Sequence, residues 1–349
     1  MIQIRLSGNF VSIEFCIASA MTIVITGASG HVGINLTRAL LARGRKVRAL
    51  AHINRRVLDS LDVEVADANI CDPDSLRRAF EGADVVYHLA AHISLSTGDW
   101  QRCSQINIEG TRNVIEACRR SGVRRLVHFS TIHALQQEPL DTPVDESRPF
   151  VSSPGCPPYD RSKAAAEKLV REAASDGLNA VIINPTGIIG PYDYEPSFFG
   201  AALILMANGR MPALVAGGFD WVDVRDVADA AIRAAERAPS GANYLVSGHY
   251  VTVKDIALLV AEIVSRKAPG FVCPLPLASA CAPFITAGAR LTGNRPIFTR
   301  ASMNALATCN HSISHARATR DLGYEPRPFN ETVRDTLAWF RENGYIKAK

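Results

Sequence analysis

The stretch Met21-Thr22-Ile23-Val24-Ile25-Thr26-Gly27-Ala28-Ser29-Gly30-His31-Val32-Gly33 decides the fold of this chain. Its first six residues predict a buried strand, and residues 32–41 have the apolar spacing of an amphipathic helix that Gly44 ends. Three glycines at this spacing, between a strand and a helix, favour a turn that seats a dinucleotide pyrophosphate at the helix N-terminus. The residues expected to contact it are Gly27, Ser29, Gly30, His31, Val32 and Gly33.

The totals are those of an ordinary globular chain. It has 349 residues, 47% of them hydrophobic and 21% charged, which is enough for one large domain and a smaller partner. The net charge of +4 includes no basic block, so we expect no nucleic acid partner. No apolar run reaches membrane-spanning length without charge. The eight cysteines are scattered without zinc spacing, which predicts free thiols, no metal and a reducing, cytoplasmic location.

Strand-like and helix-like runs alternate from Met21 onward, which predicts an α/β fold with a doubly wound parallel sheet. We assign residues 21–184 and about 219–246 to this dinucleotide-binding domain. A smaller, discontinuous substrate lid would comprise residues 185–218 and about 247–349. Residues 1–20 precede the strand pattern, and we interpret them as a non-native or upstream extension.

Tyr159 and Lys163 stand four residues apart in a run, Pro158–Ser175, whose spacing predicts a helix. Positions i and i+4 share one helix face, so a phenol and an ammonium would point at the same place. A proton donor with a cationic neighbour, facing a nicotinamide bound at the glycine turn, is what carbonyl–alcohol redox chemistry requires. Solvated polar residues on an ordinary helix would give the same spacing.

The chain resembles the extended short-chain dehydrogenase/reductase superfamily from about residue 21 to the C-terminus. Within it, the chain is most similar to the branch of dihydroflavonol 4-reductases, 3β-hydroxysteroid dehydrogenases and related bacterial reductases. The resemblance rests on six motifs in the superfamily's order: Thr26-Gly27-Ala28-Ser29-Gly30-His31-Val32-Gly33, His88-Leu89-Ala90-Ala91, Asn107-Ile108-Glu109-Gly110-Thr111, Phe129-Ser130-Thr131, Tyr159-Asp160-Arg161-Ser162-Lys163 and Asn184-Pro185.

The resemblance implies a role for each motif residue. Tyr159 matches the catalytic tyrosine, and Lys163 matches the lysine that holds the nicotinamide ribose and favours the phenolate. Thr131 matches the hydroxyl residue that binds the substrate oxygen; the alternative is a strand threonine with a satisfied hydroxyl. Asn107 matches a helix residue that supports the site, or is a local backbone cap. The further cofactor contacts implied are Leu89, Ala90, Ala91 and Pro185.

The end of the second strand indicates which cofactor the chain prefers. The acidic residue that binds the ribose 2′-hydroxyl in NAD enzymes of this type is replaced by Ala51. His52, Arg55 and Arg56 lie close in sequence, and cations there would bind a 2′-phosphate. The turn that contacts adenine would be Asn69-Ile70. We therefore expect NADP(H), with NAD(H) as the less favoured cofactor.

The leading hypothesis is an NADP(H)-dependent oxidoreductase that reduces a ketone or aldehyde on a small, fairly apolar substrate. The candidate substrate contacts are His92, His133, Asn184, Phe198 and Phe199, although lone histidines are more often structural. A nucleotide-sugar epimerase or dehydratase is the alternative, but Phe219 stands where such enzymes place an arginine for the diphosphate. A non-catalytic NADP-binding regulator is a further alternative, which the Tyr159 and Lys163 pair disfavours.

The resemblance also implies a homodimer built on the predicted helices at residues 100–121 and Pro158–Ser175. Both carry apolar stripes that would meet across such an interface. The same stripes could instead cover the sheet. Their residues are Ile106, Val114, Cys118, Ala166, Leu169 and Val170.

Overall fold

The computed structural model describes residues 2–6, 9–13, 21–51, 55–94, 96, 98–211, 213–274, 276–278, 280, 306 and 309–347. The strands are β1 (Ile2–Leu6), β2 (Asn9–Ile13), β3 (Thr22–Thr26), β4 (Lys46–Leu50), β5 (Glu64–Ala66), β6 (Val85–His88), β7 (Arg125–Phe129), β8 (Ala180–Pro185), β9 (Gly187–Ile189), β10 (Leu214–Val215), β11 (Gly218–Asp223), β12 (Asn243–Val246), β13 (His249–Thr252) and β14 (Val272–Cys273). The α-helices are α1 (His31–Leu41), α2 (Pro73–Ala79), α3 (Trp100–Cys103), α4 (Gly110–Arg120), α5 (Pro158–Ser175), α6 (Phe198–Ala207), α7 (Val224–Arg237), α8 (Val253–Ile263), α9 (Ala316–Leu322) and α10 (Phe329–Glu342).

Seven strands form one parallel sheet in the order β12-β8-β7-β6-β3-β4-β5. The order reverses beside β3, and ligands of open α/β sheets bind outside the carboxyl ends of the strands at such a reversal. The predicted doubly wound parallel sheet is confirmed. β1 and β2 pair with each other as a separate antiparallel hairpin.

Helices cover both faces of the main sheet. α1 and α7 pack together on one face, and α2, α4 and α5 pack on the other. The predicted helix at residues 100–121 is present as α3, a π-helical segment Ser104–Glu109 and α4. The stripe residues expected at a dimer interface pack into the core beneath the sheet. Val114, Cys118, Ala166 and Val170 are completely buried within the monomer.

A smaller unit stands beside the main sheet. It contains the sheet β13-β11-β9, the pair β10-β14 and the helices α6, α8 and α10, which share a second core. Residues 219–246 divide between the two units. β11 joins the small sheet because Phe219 and Trp221 pack into the second core, whereas α7 packs on α1 and β12 extends the main sheet.

Part of the C-terminal region also departs from the expected division. α9 packs against α7 and β12, and its Ala318 and Leu322 belong to the same core as α1. The main domain therefore includes a helix from within residues 247–349, the range that the sequence assigns to the lid. Among the described residues, no helix has both the length and the apolar character needed to cross a membrane.

Candidate active site

The glycine turn between β3 and α1 is as tight as its sequence indicates. Gly27 has φ +71°, a conformation that side chains disfavour, and its carbonyl accepts a hydrogen bond from Gly30 N over 3.1 Å. A Cβ atom on Gly27 would lie 2.8 Å from Ala90 N, and one on Gly33 would lie 2.2 Å from Gly27 O. Both positions therefore require glycine, because the backbone itself occupies the space.

The first turn of α1 presents its backbone N–H groups to the cleft. Gly30 is the N-cap, and among the described residues no side chain caps this turn and no acidic residue lies within it. Uncapped N–H groups and the positive end of the helix dipole attract an anion such as a pyrophosphate. The turn thus fits the dinucleotide expected from the sequence. His31 also bonds the small unit, since its Nε2 lies 3.1 Å from Pro191 O.

A buried polar network holds the turn against β6. Thr26 Oγ1 accepts hydrogen bonds from Leu89 N and Ala90 N, both at 3.2 Å, and lies 2.8 Å from His88 Nδ1. His88 Nε2 lies 3.0 Å from the hydroxyl of Thr111 on α4. Burial lowers the pKa of His88 to about 3, so this histidine is neutral. The sequence analysis gave none of these three side chains a role, although all three lie in the motifs that carry the resemblance and Thr26 ends β3.

One large cleft of about 1780 Å³ runs between the main sheet and the small unit. Its volume exceeds the range typical of a site for one drug-sized ligand, which leaves room for a dinucleotide and a second molecule. Nearly all expected cofactor contacts line it: Gly27, Ser29, Gly30, His31, Val32, Gly33, Asn69, Ile70, Leu89, Ala90, Ala91, Lys163 and Pro185.

Tyr159 and Thr131 meet in this cleft. Tyr159 lies in the first turn of α5 and is half-buried, and its side chain interacts with that of Thr131, just beyond β7. Burial raises the pKa of Tyr159, the Asp160 carboxylate raises it further, and the interaction with Thr131 lowers it. The net direction is upward, so the phenol is protonated at neutral pH.

Lys163 lies one turn further along α5, as the spacing indicated. Its side chain is 4% exposed, and its Nζ donates a hydrogen bond to Phe129 O over 2.6 Å. Burial lowers the pKa of Lys163 to about 8, against an opposing contribution from Glu167. Our expectation that Lys163 lowers the pKa of Tyr159 stays a prediction for the cofactor-bound protein.

Asn107 lies on the π-helical segment and joins three parts of the site. It donates hydrogen bonds to His92 O at 3.0 Å and to Ser162 Oγ at 2.8 Å, and it accepts one from His92 N at 2.7 Å. Ser162 in turn donates to Tyr159 O at 2.8 Å. Asn107 is buried and so supports α5 from behind, in contact with the chain that follows β6.

The expected substrate contacts fall into two groups. His133, Phe198 and Phe199 line the cleft, where His133 stacks on Phe219 with ring centres 5.4 Å apart. Phe199 stacks on Trp221 with ring centres 3.8 Å apart.

Asn184 and His92 have other surroundings. Asn184 is fully buried, and its Nδ2 donates to Glu167 Oε2 at 2.7 Å and to Thr131 O at 3.4 Å. His92 Nε2 lies 2.7 Å from Asp99 Oδ2, and its backbone is bound by Asn107. Neither side chain is among those that line the described cleft.

Comparison with known proteins agrees with this geometry. Residues 23–247 match the model of the NAD dependent epimerase/dehydratase family.

The chain belongs to this family.

Three relatives of this family member are informative. It is 38% identical over 330 residues to sterol demethylase protein B of Methylococcus capsulatus, covering 93% of this chain and 100% of that protein. It is 30% identical over 336 residues to 4-hydroxy-2-methyl-3-oxo-4-farnesyl-3,4-dihydroquinoline-1-oxide ketoreductase of Stigmatella aurantiaca, covering 91% and 96%. The crystal structure of gox2253 matches with 33% identity and a TM-score of 0.80, over 94% and 100% of the two chains.

The expected superfamily is therefore confirmed. This epimerase/dehydratase family member is an enzyme of the extended short-chain dehydrogenase/reductase superfamily, and the family depends on a nicotinamide dinucleotide.

In this family member, the region expected to select the cofactor lies beside the end of the cleft that Leu50 and Asn69 line, but Ala51, Arg55 and Arg56 are not among the lining residues. Ala51 is buried, and His52 lies outside the described residues. Arg55 pairs with Asp67 at 2.7 Å, and Arg56 begins a short 3₁₀ turn, Arg56–Leu58, on the surface. The sequence analysis overlooked Asp67, whose charge opposes that of Arg55.

Asn69 and Ile70 line the same end of the cleft. Asn69 Oδ1 accepts a hydrogen bond from Cys71 N at 2.9 Å, so its amide shapes the turn.

One group of metal-type ligands stands near the site. His92, Asp99 and Cys103 bring one donor atom each to within 4.8 Å of one another. His92 and Asp99 are bonded to each other, and Cys103 interacts with Ser162. Each of the three groups therefore has a partner within the chain.

Proposed function

We propose that this enzyme is an NADP(H)-dependent oxidoreductase that interconverts a carbonyl and an alcohol on a fairly apolar substrate. The juxtaposition of Tyr159 and Thr131 in the cleft supports this proposal most directly. It places two hydroxyl groups together, and both can bond one substrate oxygen. A non-catalytic regulator would need neither this pair nor the buried Lys163 beside it.

The residues have distinct roles in the proposed reaction. The bound nicotinamide supplies or accepts the hydride. Tyr159 donates its phenolic proton to the substrate oxygen during reduction, for which its raised pKa keeps the proton available at neutral pH. Thr131 orients the same oxygen by a hydrogen bond. Lys163 places a positive charge one helical turn from Tyr159. Its hydrogen bond to Phe129 O also fixes the distance between α5 and β7.

The substrate side of the cleft favours an apolar molecule. Its wall in the small unit is made of apolar and aromatic side chains, which gain free energy by covering apolar surface. The names of two relatives, a sterol demethylase and a ketoreductase of a farnesyl compound, agree with an apolar substrate. The wall residues are Phe198, Phe199, Ala202, Met206, Met211, Leu214, Val215, Phe219 and Trp221.

A nucleotide-sugar epimerase or dehydratase is the second candidate, because Arg102 lines the cleft and offers a cation to a diphosphate. Two observations weigh against it. Phe219 is occupied in stacking on His133. Arg225 is bound by Asp223 and Asp335, each at 2.7 Å. Incubation with UDP-, GDP- and dTDP-sugars tests this candidate, and turnover of any of them would favour it.

The cofactor and assembly are part of the proposal. The absence of a carboxylate at Ala51, with Arg55 and Arg56 close by, supports NADP(H) over NAD(H).

A homodimer is proposed from the resemblance alone, because the apolar stripes of the two helices pack within the chain itself. Light scattering at micromolar concentration measures the assembly directly, and a monomeric mass would reject the dimer.

Replacement of Tyr159 tests the proposed reaction. Tyr159→Phe should lower turnover of an apolar ketone about 10²- to 10⁴-fold while NADPH binding persists, since only the proton donor is lost. Tyr345→Phe is the matched control, because its hydroxyl bonds Tyr194 O away from the cleft. Near-normal turnover by the Tyr159 variant would contradict the assignment.

A further inference from the structure

We propose that Glu167 is a positioning residue of this active site. Its buried carboxylate balances the charge of Lys163 and, through Asn184, holds the backbone that carries Thr131. The inference rests on the proposed function for its catalytic meaning, because Lys163 and Thr131 matter only if they act. The part of the inference that concerns structure depends only on the contacts of Glu167.

Glu167 lies one helical turn beyond Lys163 on α5 and has no exposed surface. Its Oε2 accepts a hydrogen bond from Asn184 Nδ2 at 2.7 Å. Its Oε1 accepts two from Arg171, from one terminal nitrogen at 2.6 Å and from Nε at 3.1 Å. A carboxylate so deep in a protein is costly unless it is paired, so its position demands an explanation.

The charges around Lys163 show why a buried carboxylate is needed there. The titratable groups that face Lys163 from the neighbouring strands are His88 on β6 and His128 on β7. Burial and the Lys163 charge lower the pKa of both, so both are neutral and give no compensating charge. On α5 itself, Glu167 raises the pKa of Lys163. Glu167 therefore favours the protonated form of Lys163, whereas burial of the side chain favours the neutral form.

The second connection runs through Asn184 on β8. Its Nδ2 donates to both Glu167 and the carbonyl of Thr131. Its Oδ1 is buried with no hydrogen-bond partner among the described residues. The carboxylate thus fixes the orientation of the amide, and the amide holds Thr131 from behind. Glu167 consequently supports both the ammonium group of Lys163 and the position of Thr131.

Glu167→Gln separates the charge from the hydrogen bond. Glutamine can still accept from Asn184, but the negative charge is lost. The expected result is a fall of about one unit in the pKa of Lys163, since an opposite charge has been removed. NMR titration of ¹³C-labelled lysine in the cofactor-free protein measures this, with Lys163→Met to assign the signal. Glu172→Gln, the same change at an exposed position of α5, should leave the pKa unchanged.

Glu167→Leu removes both the negative charge and the hydrogen bond with Asn184, so it should lower kcat further than Glu167→Gln. In both variants we expect the alkaline limb of the pH profile of kcat to be displaced. Arg171→Met gives an independent test that leaves the buried carboxylate in place. With its partner cation gone, the carboxylate is less compensated, so the pKa of Lys163 should rise. This variant also keeps the test decisive if the Glu167 variants do not fold.

An unchanged pKa of Lys163 in Glu167→Gln, or in Arg171→Met, would overturn the inference. This titration needs no turnover, so its result is independent of the proposed reaction. Conversely, full activity of Tyr159→Phe would reject the reaction and leave the titration result intact.

Discussion

The ammonium group of Lys163 donates to the carbonyl oxygen of Phe129 over 2.6 Å, two residues before Thr131. This bond connects α5, which carries Tyr159, to the end of β7, next to Thr131. Because Tyr159 precedes Lys163 by one turn, the same contact sets the separation of Tyr159 and Thr131. A charged donor inside the protein makes the bond stronger than an ordinary neutral one.

The hydroxyl of Thr131 is expected to matter for rate more than for folding. Thr131→Val keeps the shape of the side chain but removes the hydroxyl that interacts with Tyr159 and that we propose to bind the substrate oxygen. We expect kcat to fall about 10- to 100-fold, the equivalent of one hydrogen bond. Thr131→Ser retains the hydroxyl and should keep most of the activity. Equal activity of the valine variant and the parent would show that Thr131 has only a structural role.

Lys163 should make the stability of the protein depend on pH in a predictable direction. Its pKa is about 8 in the folded protein, against an ordinary value of 10.5. Between these values the unfolded chain binds more protons, so stability from this group rises as pH rises. At pH 7 the buried charge costs about 3 kcal/mol, and this cost vanishes above pH 10.5.

Lys163→Met removes this group, and urea unfolding of both proteins across that range measures the difference. The stability of the variant relative to the parent should decline by about 3 kcal/mol as pH rises from 7 to 10.5. A difference that stays constant with pH would contradict the lowered pKa.

The proposed preference for NADP(H) should depend on the charges of Arg55 and Arg56. Replacing Arg55 and Arg56 together by Glu should weaken NADPH binding about 10- to 100-fold and leave NADH binding nearly unchanged. Asp67→Ser should have the opposite effect, because it frees Arg55 from its 2.7 Å ion pair. Calorimetry with both cofactors measures these changes. Parallel losses for NADPH and NADH would show that neither arginine selects the cofactor.

Gly33 tests the tightness of the glycine turn. Gly33→Ala would place a Cβ atom 2.2 Å from Gly27 O, a distance that only a backbone shift can relieve. We expect a loss of about 3 kcal/mol in the free energy of unfolding and much weaker dinucleotide binding. Gly44→Ala is the control for cofactor binding, because no atom lies within 4 Å of a Cβ there. Dinucleotide binding by Gly33→Ala as tight as by Gly44→Ala would count against the pyrophosphate seat.

Sequence patterns located the turn, the sheet and the Tyr159 helix because each depends on neighbouring residues. The glycines of the turn and the i, i+4 spacing on α5 are local features. Asn184 shows where such reasoning ends: its position suggested a substrate contact, but the fold buries it beneath Thr131. The role of Glu167 was equally hidden, since a glutamate on a helix is normally exposed.

The division of the C-terminal half depended on packing between distant segments. β11 joins β9 and β13 because Phe219 and Trp221 enter the second core, a contact that no local pattern specifies. Arg55 was identified as a cation near the cofactor, but its partner Asp67 comes from the loop after β5, twelve positions away. Pairings of this kind require the folded chain.

The central claim is that this enzyme transfers hydride, with Tyr159 as the proton donor, to an apolar carbonyl. The most direct measurement uses NADPH with deuterium on the transferring face of the nicotinamide and a panel of steroid, prenylated and aromatic ketones. Mass spectrometry then locates the label. We expect NADPH consumption and deuterium on the carbinol carbon of at least one product, with both lost in Tyr159→Phe. Turnover of a nucleotide sugar with no net cofactor change, and no labelled alcohol from any ketone, would contradict the claim.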